Sequence, residues 1–279
     1  MEESVEIIRS RQNRTVALAE KLNDRKARES CRSFRFDGCK LLEEAVRSRV
    51  ELCAVLLRES GREALLERLY AACGRDALRG VGRVLTVADG LFERISEEKS
   101  PDGVICIAKY IDKFQKTVTI YNDADFREPD ERIVLLESVR DPLNVGAVIR
   151  SAAALGVDRL ILSGDCADVY HPRAVRASMG ALFCQRIDRT ASLPGAVSCL
   201  RRCGRRVFAA ALDPGALRLG SFRTRPGDCV VIGNEGHGLS REVLQACGQS
   251  VYIPITPRAE SLNAAVAAGI LMWEFSSRV

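Results

Sequence analysis

The sequence predicts an α/β protein in two parts, a smaller α/β sandwich followed by a larger domain built on a mostly parallel sheet. Three observations lead there. Short apolar runs alternate with helix-length amphipathic stretches along nearly the whole chain, the rhythm of layered α/β folds. In the C-terminal half those runs are apolar throughout, as in Ile133-Val-Leu-Leu136 and Val230-Val-Ile232. Strands read that way when helices cover both faces of their sheet. Between the halves, residues 112–131 are polar, carry Asn122-Asp-Ala-Asp125 and Glu128-Pro-Asp-Glu131, and hold no sustained period. A linker is expected there.

In the first part, residues 1–111, a basic helix is expected over 7–30. A short strand around Phe34–Phe36 follows, then a helix with Leu41, Leu42 and Ala45 on its face. Next come a strand at Leu52–Leu57, a helix over 64–70, a strand at 83–87, a short helix near 91–95 and an apolar strand at Val104–Ala108. In the second part, residues 132–279, strands are expected at 133–136, 159–162, 184–187, 207–211, 229–232 and 251–255. Helices are expected between them at 145–155, 172–179, 191–203 and 239–247. A last helix opens at Glu260-Ser261, with Ser261 as its cap. Leu262, Ala265, Val266, Gly269, Ile270 and Trp273 recur on it at the three-and-four spacing of a packed face.

Composition bounds the function. A chain of 279 residues with 47% hydrophobic and 28% charged residues has the balance of a globular protein. No apolar run reaches bilayer length, and the start, Met1-Glu-Glu-Ser-Val-Glu6, is acidic where a secretory signal is basic. A cytoplasmic location without a membrane partner is therefore expected. The 11 cysteines are scattered, with no C-x-x-C pair and only 2 histidines. They are expected to be small buried hydrophobes in a reducing compartment, and no metal is expected. Net charge is only +5, but Arg9–Arg35 holds nine basic and three acidic residues, and Arg173–Arg206 eight basic and one acidic. Two basic segments on a nearly neutral background point to a polyanion-binding surface.

Ligands of parallel sheets sit beyond the carboxyl ends of the strands, and three polar segments fall there. The first, Asp141-Pro-Leu-Asn144, turns into a helix that carries Arg150. The second, Gly233-Asn-Glu-Gly-His-Gly238, is dense enough in glycine to let backbone approach a ligand and to expose amide donors before a helix. Its spacing is neither the dinucleotide fingerprint nor a phosphate-binding loop. The third is Ile253–Asn263. Taken singly, each also reads as an ordinary turn, and Glu235 as a charge favouring a helix N-terminus.

Together, Asp141-Pro-Leu-Asn-Val-Gly-Ala-Val-Ile-Arg150, Gly233–Leu239 and Ile253-Pro-Ile255 with Glu260-Ser-Leu-Asn263 resemble the three motifs of the SpoU-type (TrmH-like) RNA 2′-O-ribose methyltransferases of the SPOUT superfamily. His171–Ala181 resembles that family's intervening helix. The first hundred residues, with Ser10-Arg-Gln-Asn13 and Ser100-Pro-Asp-Gly103, resemble the ribosomal-protein-like RNA-binding domain that often precedes it. Pro257 stands where the family usually has glycine, and its fixed φ forbids left-handed conformations.

The resemblance implies a deep trefoil knot in the second domain, S-adenosylmethionine bound there as methyl donor, and a homodimer whose interface helps build the site. It carries cofactor contacts onto Ala211, Leu212, Gly233, Ile253 and Leu262, and catalytic roles onto Arg150, Asn144, Glu235, Ser261 and Asn263. The family's arginine is sometimes described as the base. A guanidinium stays protonated at working pH, so Arg150 suits the role of a fork on the RNA phosphate beside the target ribose, with the phosphate or a water taking the proton. Asn144, Asn263 and Ser261 would orient the hydroxyl or Arg150, and Glu235 would position Asn144 or Arg150 or cap a helix. Arg9, Arg11, Arg14, Arg28, Arg32, Arg173 and Arg176 are the expected RNA contacts. Ribosomal RNA is the favoured substrate. The alternatives are the same chemistry on transfer RNA and a non-catalytic RNA-binding protein.

Overall fold

Two sheets organise the chain in a computed structural model that describes residues 6–98, 100–112, 115–234 and 236–276. They belong to two units, one taking in the residues up to Ile111 together with Tyr170–Phe183, the other Asp112–Val169 and the chain from Cys184 onward.

In the first unit the strands are β1 (Ile7–Ile8), β2 (Ser33–Asp37), β3 (Leu52–Arg58), β4 (Val84–Val87) and β5 (Val104–Lys109), in the mixed order β1-β4-β3-β5-β2. The helices are α1 (Arg14–Lys21), α2 (Arg25–Cys31), α3 (Cys39–Arg47), α4 (Arg62–Cys73) and α5 (Asp89–Ile95). The basic helix expected over 7–30 is thus a strand and two helices. Asn13 caps α1 through bonds from the Thr15 and Val16 amides, and Asp24 caps α2 through a bond from Ala27. Such residues offer the backbone a side-chain partner and so start helices rather than continue them. Val16, Ala19, Leu22, Phe92 and Ile105 form part of the core beneath. The segment Tyr170–Phe183 joins this unit through aromatic rings: Tyr170 stacks on Tyr110 at 4.0 Å and meets Phe34 at 4.7 Å, and Phe183 meets Phe36 at 5.3 Å.

The second unit holds β6 (Gln115–Val118), β7 (Ile133–Leu136), β8 (Arg159–Ser163), β9 (Arg186–Thr190), β10 (Val207–Ala210), β11 (Leu217–Arg218), β12 (Cys229–Ile232) and β13 (Gln249–Tyr252). All pair in parallel, in the order β11-β13-β10-β12-β7-β8-β9-β6. Helices α6 (Pro142–Ala154), α8 (Leu193–Arg202), α9 (Arg241–Cys247) and α10 (Ala264–Ser276) belong to this unit, and α7 (Pro172–Ser178) to the first. The apolar runs at β7, β10 and β12 are covered as their composition requires.

The stretch expected as a linker is folded. It supplies β6, a 3-10 turn at Asp123–Phe126, and the buried Tyr121, Phe126 and Glu131. Its buried Glu131 and Tyr121 find their partners inside the fold. Arg159 forks onto both Glu131 oxygens at 2.8 Å and reaches Asp188 at 3.4 Å, where the Tyr121 hydroxyl also donates. Burial and the Asp188 charge push the Tyr121 phenol up. This network also explains why β9 runs to Thr190 rather than ending at Ile187: its Asp188 is buried as a partner, not exposed as a breaker.

Candidate active site

The carboxyl ends of β10, β12 and β13 open into a cleft of about 850 Å³. The loop after β12 forms one side, with Gly233, Asn234, His237, Gly238 and Leu239. Ile253 to Ser261 and Leu262 form the other, and Ala210–Leu212 completes it. All five expected cofactor residues line it: Ala211, Leu212, Gly233, Ile253 and Leu262. Size and wall fit an adenosyl-bearing ligand, since the lining is mainly apolar (Leu239, Leu244, Val251, Leu271) with loop backbone exposed among it.

Gly233 is required by contact. A Cβ there would lie 2.4 Å from the Gly238 carbonyl carbon and 2.8 Å from the Leu239 nitrogen. The loop folds back on itself, with Asn234 and Gly238 exchanging backbone bonds at 2.9 and 3.1 Å, and the Asn234 Oδ1 accepts from the Gly236 and His237 amides. Glu235 lies outside the described residues.

The first and third loops meet. Asn263 Nδ2 donates to Asn144 Oδ1 at 3.0 Å. The same Asn263 accepts from the Ala265 and Val266 amides, so it, and not Ser261, caps α10, which opens at Ala264 rather than at Glu260. Ser261 is exposed on the cleft wall. Strand β13 ends at Tyr252, short of the expected Ile255, because Pro254 lacks the amide a sheet needs. Pro257 sits second in the turn closed by Ala259 N to Thr256 O at 3.3 Å, a position that suits a fixed φ.

Arg150 stands apart. It is exposed near the end of α6, outside the cleft lining, and its side chain makes no hydrogen bond or ion pair with any described residue. Leu143, seven residues earlier and so on the same helix stripe, is exposed as well. On the neighbouring α10 the face expected to be packed is the open one. Val266 is 52% and Trp273 62% exposed, with Ile270 between them, and Ala264, Ala268, Leu271 and Met272 are buried instead. Periodicity locates an apolar stripe but does not say what covers it, and this helix has two.

The expected RNA contacts divide. Arg14, Arg32 and Arg173 are exposed, as are Arg9, Arg11 and Arg176, which pair with Glu59, Glu20 and Glu98. Arg28 is a correction: only 1% exposed, it donates to the Leu22 and Asn23 carbonyls and holds the α1–α2 corner. In the second basic segment only Arg205 is buried, but most of the other arginines are engaged with the protein itself. Arg189 caps the Gly164, Cys166 and Ala167 carbonyls, Arg201 the Ala246 carbonyl and Arg205 the Glu131 carbonyl, and Arg186 and Arg206 pair with Glu131 and Asp228.

All 11 cysteines are free thiols. Burial pushes Cys229 and Cys247 up to about 12, as befits buried hydrophobes. Asp123, Cys199 and Cys203 bring three ligating atoms within 4.8 Å of one another, but Arg202 already occupies the same Asp123 oxygen at 3.1 Å.

The SpoU rRNA Methylase family matches residues 131–273, and an MRM3-like substrate binding domain matches residues 13–106. The chain belongs to the SpoU rRNA methylase family. The 23S rRNA (guanosine(2553)-2′-O)-methyltransferase RlmP of Bacillus subtilis is 27% identical over 95% of this chain and 97% of its own. An AdoMet-bound rRNA methyltransferase from Sinorhizobium meliloti superposes with TM-score 0.79 at 28% identity, over 99% of both chains. The AdoMet complex of the SpoU methyltransferase AviRb from Streptomyces viridochromogenes does so with TM-score 0.73 at 26% identity, over 95% of this chain and 98% of that one.

Sequence reasoning did not single out the residues behind the cleft, Glu137, Ser138, Ser163 and Asp165. Their signal was position alone, since Glu137 and Ser138 follow directly on β7 and Asp165 comes two residues after β8.

Proposed function

We propose that the cleft is the S-adenosylmethionine site of an RNA 2′-O-ribose methyltransferase whose substrate is ribosomal RNA. The observation that carries this is the convergence of three distant loops, two lining one cleft and the third joined to them through Asn263 and Asn144. Ala211, Leu212, Gly233, Ile253 and Leu262 hold the adenosyl end. The cofactor supplies an electrophilic methyl group, and the protein's task is to hold a ribose oxygen in line with it.

Asn144 and Asn263 orient that hydroxyl, with Ser261 beside them and Glu235 positioning the group. Arg150 grips the adjacent phosphate, since a guanidinium binds phosphate as a fork and does not take up a proton. The proton leaves to the phosphate or to water.

Within one chain Arg150 and Leu143 are exposed on α6, and Val266, Ile270 and Trp273 are exposed on α10, the helix that α6 contacts. The chain therefore works as a homodimer covering that apolar face, which brings one copy's Arg150 to a site completed by the other. Arg9, Arg11, Arg14, Arg32, Arg173 and Arg176 meet RNA phosphates. The knotted path implied by the motifs, the cytoplasmic location and a reaction without metal belong to the same reading.

The test is transfer of labelled methyl from S-adenosylmethionine to ribosomal RNA, followed by digestion to nucleosides. Label on ribose is expected. Label on a base, or none with purified protein that also fails to bind the cofactor, overturns the proposal.

A further inference from the structure

The glycine-rich loop that lines the cleft is held from behind at both ends, by two consecutive residues at the end of β7. Glu137 follows directly on the strand, and its carboxylate accepts from the Ser240 amide at 2.8 Å and from the Ser240 hydroxyl at 2.7 Å. Ser240 also caps α9, through a bond from Val243. One residue on, the Ser138 carbonyl accepts from Asn234 Nδ2 at 2.8 Å. Asn234 begins the loop and Ser240 ends it, so both ends are fixed by neighbours in sequence.

The clamp is itself braced. Ser138 has φ of +55°, a left-handed conformation that costs a non-glycine residue on the order of 1 kcal/mol or more. Its hydroxyl donates to Asp165 at 2.6 Å, its amide donates to Ser163 Oγ at 2.9 Å, and the Ser163 hydroxyl donates to Asp165 at 2.6 Å. Two side-chain bonds at one strained residue, with a third joining their partners, indicate that the turn is held in place rather than tolerated. Glu137 is anchored as well, since its amide donates to the Ile232 carbonyl on the neighbouring strand.

None of these groups lines the cleft; they act only through the loop. We infer that Glu137 and Ser138 are positioning residues that hold the 234–240 loop in its cofactor-binding shape. Glu137 is the stronger element, because a carboxylate taking two bonds from one residue forms charge-assisted contacts that a neutral side chain cannot replace. Glutamine there keeps the size but removes the charge, leaving neutral bonds in place of charge-assisted ones.

The inference rests on the cleft being the cofactor site, and the experiment separates the two. Cofactor affinity is measured by calorimetry on the full chain as wild type, Glu137→Gln, Ser240→Ala, the Glu137→Gln/Ser240→Ala double variant and Ser240→Thr, with methyl transfer to ribosomal RNA measured alongside. Wild type binds; Glu137→Gln and Ser240→Ala each bind about tenfold more weakly; and the double variant is little worse than either, because both break one clamp. The loss falls mainly in KM for the cofactor, not in kcat. Ser240→Thr, which keeps hydroxyl and cap, restores affinity. Failure of the wild type to bind sinks the cofactor site itself. Wild-type binding with unchanged affinity in Glu137→Gln, or strictly additive losses in the double variant, overturns the clamp alone. Should the Glu137 variant not fold, the Ser240→Ala and Ser240→Thr pair decides: equal affinities overturn the inference.

Discussion

The two sides of the proposed site are built differently. On the cofactor side, the loop after β12 is closed on itself, clamped from β7 and set around a glycine with no room for a methyl group. On the RNA side, Ser261 is exposed and Arg150 makes no bond to any described residue, while the hydrophobic stripe beside it faces outward. A cofactor that recurs in every turnover rewards a preformed pocket, because ordering it anew each time would cost affinity. A macromolecular substrate can complete its own half, and so can a second copy of the chain. The contrast predicts that substitutions on the two sides fail in different ways.

Arg150→Ala should have the largest effect. Methyl transfer is expected to fall about a thousandfold, the scale of losing a charged contact that strengthens toward the transition state, while cofactor affinity stays near that of wild type. Near-normal turnover would remove Arg150 from the chemistry. Equal losses of binding and transfer would erase the distinction between the two sides.

Gly233→Ala is the mirror experiment. A Cβ 2.4 Å from backbone has no flexible neighbour to push aside, so the loop must open. Overpacking of this kind costs about 1–3 kcal/mol, which corresponds to a loss in cofactor affinity of about ten- to a hundredfold. Calorimetry on the variant checks it; unchanged affinity would mean the closed loop is not the binding conformation.

These two positions also mark what was legible in the sequence. That the loops of Gly233, Ile253 and Leu262 lie at the carboxyl edge of the sheet could be read because strand ends and glycine density are local signals, and the parallel sheet could be read from uninterrupted apolar runs. Three things could not. Arg28 and Arg205 look like surface charge, yet backbone carbonyls that only the fold assembles around them make them structural. Residues 112–131 look like a linker because they are polar and without a sustained period, and Arg159 and Asp188, the partners that bury Glu131 and Tyr121, lie between 28 and 67 residues away. The stripe on α10 was found but assigned to the inside, since spacing alone does not distinguish a core face from an interface.

That stripe supplies the next test. Trp273→Asp places a charge on the exposed apolar face and should convert the proposed homodimer into monomers by sedimentation, with transfer lost and the fold intact by circular dichroism. A wild-type chain that sediments as a monomer at micromolar concentration would deny the dimer, and Arg150 would then have to act on RNA held by its own chain.

A smaller effect belongs to Asn263, which joins the two sides by capping α10 and donating to Asn144. Asn263→Ala should lower stability by about 1 kcal/mol through the cap, and Asn263→Asp should restore most of that, since a carboxylate caps equally well. Only the alanine variant should show the thermal shift. Both should lose transfer if the Asn144 bond matters, because a carboxylate cannot donate to the Asn144 oxygen. Full activity in the aspartate variant would make Asn263 a cap and nothing more.

The smallest expected effect is on pH dependence and concerns the brace behind the loop. Burial by itself would raise the Asp165 carboxyl, but the Ser138 and Ser163 hydroxyls and Arg140 overcome it and hold the group below its ordinary range. A carboxyl depressed in the folded state contributes stability that is present above its unfolded value, near 4, and fades as pH falls through the lower folded value. In urea titrations, wild type should therefore exceed Asp165→Asn by a constant margin at neutral pH, and the margin should shrink as pH falls below about 4. The group is partly exposed and its pairing with Arg140 is screened, so the margin is modest. A margin that persists unchanged at pH 3 would mean that asparagine fails for shape rather than charge, and that the serine hydroxyls hold Ser138 in its left-handed turn without the carboxylate's help.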